Sequence, residues 1–270
     1  MTDYMDFNEE YWDKLVATHV RSDYYDVDSF KQGETSLLNV ELEEIGGEVV
    51  GKRLLHLQCH FGMDTLSWAR MGADVTGVDF SGTAVEKARK LSQELGIKSK
   101  FVKANVLNLR ESLRERFDIV FTSYGVIGWL PRLDQWAQVI ADSLEPGGWF
   151  YMVEIHPLSL TLEADPNPNA PLKVSNNYFQ DLPDLWVDDL TYTGDQTQHK
   201  TPRRFNWTHS LSDVINSLIG SGLELDYLHE FPFAIHEAIP ALSKSNDGFY
   251  RVQGKNKKFP FLFSLRAKKP

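Results

Sequence analysis

Between residues 53 and 155, short apolar runs alternate with stretches of helical period, and this alternation constrains the chain more than any other feature. Strands and helices taking turns bury their apolar faces as βαβ units around a parallel sheet. Arg53 to Cys59 reads as a first strand after a Gly51-Lys52 turn. Asp64 stands where the N-cap of a following helix is expected, and Gly72 where a C′ glycine belongs. Asp74 to Phe80 is a β-branched second strand. A helix opened by Ser81 or Gly82 carries Ala84, Val85, Ala88, Leu91 and Leu95 on one face and ends at Gly96. Lys100 to Val106 reads as a third strand and Phe117 to Tyr124 as a fourth, apolar enough for the middle of a sheet. Leu133, Trp136, Val139, Ile140 and Leu144 mark a further helix, and Pro146-Gly147-Gly148 turns it into a fifth strand, Trp149 to Ile155.

The later chain changes character. Six of the twelve prolines fall between Pro157 and Pro202, and Glu163 to Asp195 holds seven acids against one base, Lys173. An irregular insertion is expected here, with two short strands around Leu185 to Thr193. Ser210 to Asp213 matches a capping box, and Leu211, Val214, Ile215, Leu218 and Ile219 follow at helical spacing. His209 precedes that helix in a capping role. Leu223 to Phe231 and Phe259 to Ala267 are the last two strands. The expected architecture is a doubly wound, mostly parallel seven-stranded α/β sheet with helices on both faces. Its expected parts are an N-terminal helical cap over residues 1–50, a core over 51–156, an inserted lid over 157–208, and a final helix and strands over 209–270.

Composition narrows the function. The chain has 270 residues, one cysteine and a formal charge of −10. One cysteine closes no disulfide, so a cytoplasmic setting is expected. The first ten residues carry acids and no base, unlike a signal peptide. The acidic balance argues against nucleic-acid and anionic-membrane partners, which demand phosphate-neutralising Lys and Arg, and points to a small molecule.

Sheets of this kind bind ligands beyond the carboxyl ends of their strands. After the first strand comes Gln58-Cys59-His60-Phe61-Gly62-Met63-Asp64, a turn into a helix whose free N–H groups suit an anion. At the end of the second strand stands Asp79, able to accept both hydroxyls of a ribose. At the end of the third, Asn105-Val106 suits the amine and ring nitrogen of an adenine. An adenosine ligand satisfies all three ends.

These residues resemble the class I S-adenosylmethionine-dependent methyltransferases over roughly residues 51–156. The nearest resemblance is to a bacterial group whose first loop reads Leu-Gln-Cys-His-Phe-Gly, here Leu57 to Gly62. Val75 to Ser81, Phe117 to Val120 and Leu144 to Gly148 match the superfamily's later motifs. The resemblance implies S-adenosylmethionine as cofactor, held by Gln58, Cys59, His60, Gly62, Asp64, Asp79, Phe80, Asn105, Val106 and Ser123, with Cys59 contributing backbone and no nucleophilic chemistry. It also implies an N-terminal lid, in which Tyr25 would face the sulfonium by cation–π contact.

The first motif departs from the superfamily's acid-x-Gly-x-Gly-x-Gly, holding His56, Gln58, His60 and Gly62 at its four defining positions. The missing glycines normally let the backbone approach the methionine part of the cofactor, so Gln58 and His60 must turn their side chains away or replace those contacts. No glycine triad suits a nicotinamide or flavin, no Walker lysine is present, and the scattered histidines show no metal spacing. Thr122-Ser123-Tyr124-Gly125 stands where methylases of exocyclic amines carry Asn-Pro-Pro-aromatic. Methyl transfer needs alignment and, for a hydroxyl or ammonium acceptor, a base. Tyr124, Glu154 and His156, at the ends of the fourth and fifth strands, are the candidates. Residues 1–45 hold twelve acids and three bases, so the expected acceptor is neutral or cationic. A protein that binds the cofactor without methylating anything is the competing expectation.

Overall fold

In a computed structural model, residues 4–187, 191–193, 203–252 and 258–270 are described. Three helices come first: α1 (Tyr4–Arg21), α2 (Val27–Gln32) and α3 (Asn39–Ile45). The buried residues of α1 include Asn8, Tyr11, Leu15, Val16 and His19, which share one face at helical spacing. The alternating region follows as β1 (Arg53–Leu57), α4 (Met63–Arg70), β2 (Asp74–Asp79), α5 (Gly82–Leu95), β3 (Lys100–Lys103), α6 (Leu109–Ser112), β4 (Phe117–Thr122), α7 (Leu133–Ser143) and β5 (Leu144–Ile155). Two short strands, β6 (Asp184–Trp186) and β7 (Arg204–Asn206), pair antiparallel. The chain ends with α8 (Leu211–Gly220), β8 (Glu224–Phe231), a small hairpin of β9 (Leu242–Lys244) and β10 (Tyr250–Val252), and β11 (Leu262–Lys268).

Seven strands form the main sheet in the order β3-β2-β1-β4-β5-β11-β8. The first five are mutually parallel, and β11 runs antiparallel between β5 and β8. Alternation along each strand sends its side chains into two cores. Leu55, Leu57, Val120, Phe150 and Met152 pack with Trp136 and Ile140 of α7 and Val214 and Leu218 of α8. Leu54, Phe121, Tyr151 and Val153 pack on the other face with Trp68 of α4 and Val40 of α3. The chain runs outward from β1 to β3 and returns to β4, so a crevice opens beyond the carboxyl ends of β1 and β4, the usual ligand site of such sheets.

Ser81 caps α5 by accepting from Ala84 N, and Gly96 closes it in the left-handed region. The Ser210–Asp213 capping box forms in both directions. Other expectations shift. Asp64 is not an N-cap: that position is Gly62, at φ 81°, and the Asp64 carboxylate turns to other partners. The third strand stops at Lys103, because Asn105 caps a 3-10 turn over Val106–Asn108 by accepting from Leu107 N. The insertion's first strand is Asp184–Trp186, and its partner is Arg204–Asn206 rather than a neighbour before Thr193; residues 188–190 lie outside the described residues. His209 caps nothing; its Nε2 is 2.8 Å from Leu130 O, tying the start of α8 to the segment before α7. The β9–β10 hairpin has no counterpart in the sequence reading, since three-residue strands carry too little period to register.

Candidate cofactor site

The turn between β1 and α4 builds the site. Gln58, His60 and Gly62 all have positive φ, at 55°, 50° and 81°. These are the three positions where the related motif carries glycine, so the loop keeps a left-handed backbone although two of its glycines are replaced. Why only Gly62 remains glycine is steric. A Cβ there would lie 2.6 Å from the Phe101 ring and 3.0 Å from Ala88 Cβ. At residues 58 and 60 the chain bears only the smaller cost of a left-handed non-glycine residue, about 1–2 kcal/mol each.

Both side chains are turned to definite partners. Gln58 Nε2 donates to Val126 O at 2.8 Å, which joins the loop to the segment after β4. Its Oε1 is buried and has no hydrogen-bond partner among the described residues. The His60 ring turns towards the cap, with Nε2 3.0 Å from His19 Nδ1, and packs edge-on against Trp12. Burial and the neighbouring His19 hold the His60 imidazole well below its ordinary pKa.

A narrow cleft of about 10 Å³, room for little more than one water, lies beside this loop. Gln58, Asp79, Phe80, Asn105 and Val106 line it from the sheet side, and Met5 of α1 with Trp129 and Leu130 cover it. Asp79 accepts from His60 N at 2.8 Å through Oδ2 and from Ser81 N at 2.9 Å through Oδ1. Each carboxylate oxygen has a second lone pair, so the group keeps capacity for two more donors. Burial pushes the Asp79 carboxyl up to about 6, against the pull of the Ser81 and His60 N–H groups. The orphaned Gln58 acceptor and the half-used Asp79 carboxylate are what a ligand rich in hydroxyl and amine donors would occupy. Among the described residues, no lysine or arginine lines the cleft.

The structure gathers Gln58, Asp79, Phe80, Asn105 and Val106 at that cleft, and His60 stands over the same loop. Tyr25 packs on Phe61 at 4.7 Å and on the His60 ring at 5.7 Å, with its hydroxyl on Tyr192 of the insertion. Cys59 is buried beneath the loop, its thiol pushed well up by desolvation. Asp64 and Ser123 meet on the β4 side, where Asp64 accepts from Ser36 Oγ at 2.7 Å and Ser123 Oγ at 3.3 Å.

Of the three candidate bases, two have their polar atoms engaged by neighbouring segments. Glu154 is buried, and its carboxylate accepts four backbone N–H groups, from Gly125, Val126, Ile127 and Ile155. These use its lone pairs fully, so Glu154 holds the loop after β4 and has none left for an acceptor's proton. His156 is engaged at both ring nitrogens, with Nε2 2.8 Å from Glu230 Oε1 and Nδ1 accepting from Leu158 N at 3.1 Å. Tyr124 donates to Glu41 Oε2 at 2.6 Å. Glu41, on α3, is a residue sequence reasoning missed. It is buried, and desolvation raises its carboxyl to about 8. A glutamate in an amphipathic acidic segment gives no local sign that it will be enclosed.

Comparison with known proteins bears on both halves of the site. Residues 54–148 match a family model described as a methyltransferase domain, a span running from β1 to the start of β5. A methyltransferase from Mesorhizobium loti superposes with a TM-score of 0.61 over 88% of this chain and 99% of its own, at 17% identity. One from Clostridium acetobutylicum superposes with a TM-score of 0.56 over 98% of both chains, at 16% identity. The fold is the Rossmann-like methyltransferase fold. Among curated proteins, a ubiquinone biosynthesis O-methyltransferase of Shewanella pealeana is 29% identical over 115 residues, 43% of this chain and 48% of that protein. One from Proteus mirabilis is 26% identical over 160 residues, 53% of this chain and 65% of that protein. The chain thus spans about half the length of the first of these relatives. The methyltransferase fold accounts for the position of the crevice, and Gln58 of the first loop lines the cleft within it.

Proposed function

We propose that this chain binds S-adenosylmethionine in the cleft between the first loop and Asp79 and transfers its methyl group to a small molecule. The observation that carries the reading is the left-handed backbone at Gln58, His60 and Gly62 beside a carboxylate with acceptor capacity to spare. In this reading residues 51–156 hold the cofactor, the segments before and after them cover it, and the chain joins the group with a Leu-Gln-Cys-His-Phe-Gly first loop. Asp79 takes the ribose hydroxyls, Asn105 and Val106 the adenine, and Gln58 Oε1 an amine hydrogen. The methyl donor supplies an activated carbon, and the protein supplies alignment and a dry enclosure.

Acceptors that are neutral or cationic suit the site best. Glu41, Asp64, Asp79 and Glu154 stand at the carboxyl end of the sheet, and no basic side chain among the described residues lines the cleft. Relatives named for ubiquinone biosynthesis are in keeping with a small-molecule acceptor. The full engagement of Glu154 and His156 favours a second reading, a cofactor-binding protein without acceptor chemistry. Calorimetry with S-adenosylmethionine tests the binding, and release of S-adenosylhomocysteine in a fractionated metabolite extract separates the two readings. Turnover only on polyanionic acceptors such as RNA would overturn the acceptor class.

A further inference from the structure

Three segments remote in sequence meet at one histidine. His19 of α1 places Nδ1 3.0 Å from Nε2 of His60 in the first loop, and Nε2 2.8 Å from Oγ1 of Thr191 in the insertion. His19 is fully buried, and Trp12 and Tyr25 pack on both imidazoles. His60 reaches this contact from a left-handed backbone that a side chain rarely adopts, so the surroundings must hold it there.

The helix joined in this way is also the roof of the cleft. Met5 lines the cleft, and Tyr11 stacks on Trp129, which lines it too, at 5.7 Å. Further along α1, Asp13 accepts from Ser81 Oγ and Thr83 N, and Asn8 exchanges two hydrogen bonds with the backbone of Phe205. A ligand of nucleoside size enters such a cleft only when α1 lifts.

We propose that the His19–His60 pair is a proton-operated clasp, which holds α1 over the cleft while both rings are neutral and releases it for cofactor exchange once they are protonated. Two neutral imidazoles fit one N–H donor against one lone pair, whereas two imidazolium rings set N–H against N–H and charge against charge. The buried site favours neutral rings, as the lowered His60 basicity indicates. The sign follows: below the ordinary imidazole value of about 6.5, the open form takes up two protons that the closed form excludes, and the equilibrium moves to open. Among the described residues, the groups facing the pair include Asp79, which accepts from His60 N, and the hydroxyls of Tyr25, Tyr192 and Thr191, with Asp64 and Tyr24 beyond. Elsewhere on α1, Glu9 faces Lys103.

The clasp rests on the proposed cofactor reading for its role but can be tested apart from it. Stopped-flow tryptophan fluorescence, with Trp12 and Trp129 as reporters, follows displacement of S-adenosylhomocysteine by sinefungin at pH 7.5 and 5.5. Two protonations, each with a reference near 6.5, predict about a hundredfold faster exchange at the lower pH. His60→Asn, which tolerates the left-handed backbone and does not titrate, is expected to shrink the step several-fold, and so is His19→Gln. Asp79 titrates in the same range and keeps its own response in both variants, so a step of unchanged size in His60→Asn overturns the proposal. Hydrogen exchange of the α1 amides reads the clasp without ligand: protection should fall on acidification in the wild type and not in His60→Asn. If S-adenosylhomocysteine binds at neither pH, the cofactor reading fails, and the exchange data still decide whether the clasp exists.

Discussion

At Gln58, His60 and Gly62 one backbone shape is reached by three different side chains, and the neighbours decide which substitutions it bears. Gly62 has the Phe101 ring where a Cβ would go, so Gly62→Ala combines a left-handed penalty with overpacking. A loss of about 2–4 kcal/mol is expected in urea unfolding. His60→Gly, which relieves the backbone, should leave that stability nearly unchanged. Asp79 sets a pH dependence. Its carboxyl titrates near 6 because burial outweighs its two N–H donors. Protonation removes acceptor capacity, so S-adenosylmethionine affinity should be level above pH 7 and fall by up to tenfold per unit below 6. Asp79→Ala should lose binding at every pH; calorimetry that finds affinity retained would displace the ribose from this carboxylate. These positions were visible in sequence as types, but the reason Gln58 and His60 replace glycine was not, because it depends on the partners their side chains meet across the fold and on the crowded space beside Gly62.

Elements show a similar division. Helix α5, the capping box of α8 and the helix after Pro131 follow from local period and caps, which act within a few residues. Ser210→Ala should therefore cost only about 1 kcal/mol. The loop after β4 is different, since its shape depends on a carboxylate 27 to 29 residues further on. Glu154→Gln would set an NH2 group against backbone N–H donors in a dry site. That change should cost about 2–4 kcal/mol and broaden the NMR signals of Gly125 to Trp129. A full loss of methyl transfer with unchanged thermal stability would instead favour Glu154 as a base. Sequence reading chose Glu154 and His156 because both end the fifth strand near the crevice. What it lacked was Glu230, 74 residues past His156, and the ring of amides around Glu154.

For the whole molecule, the last strands complete the sheet rather than decorate it. Phe263 and Leu265 of β11 lie in the core shared with α7 and α8, and β11 pairs along the full outer half of β5. A chain ending at residue 156 would expose that edge and lose part of this core. It is expected to be aggregated or molten by near-ultraviolet circular dichroism, although it holds all the residues that match the methyltransferase domain.

The chain's own letters determined the alternation of strands and helices, the two-sided parallel sheet and the crevice at the strand ends, because periodicity and capping are set within a turn or a pleat. Tertiary structure alone decided the polar partners: Glu41 with Tyr124, Glu154 with the β4 loop, and His19 with His60 and Thr191. Such pairs carry no period. They are fixed by burial, which obliges each enclosed donor and acceptor to find a partner from whatever segment the fold brings within reach.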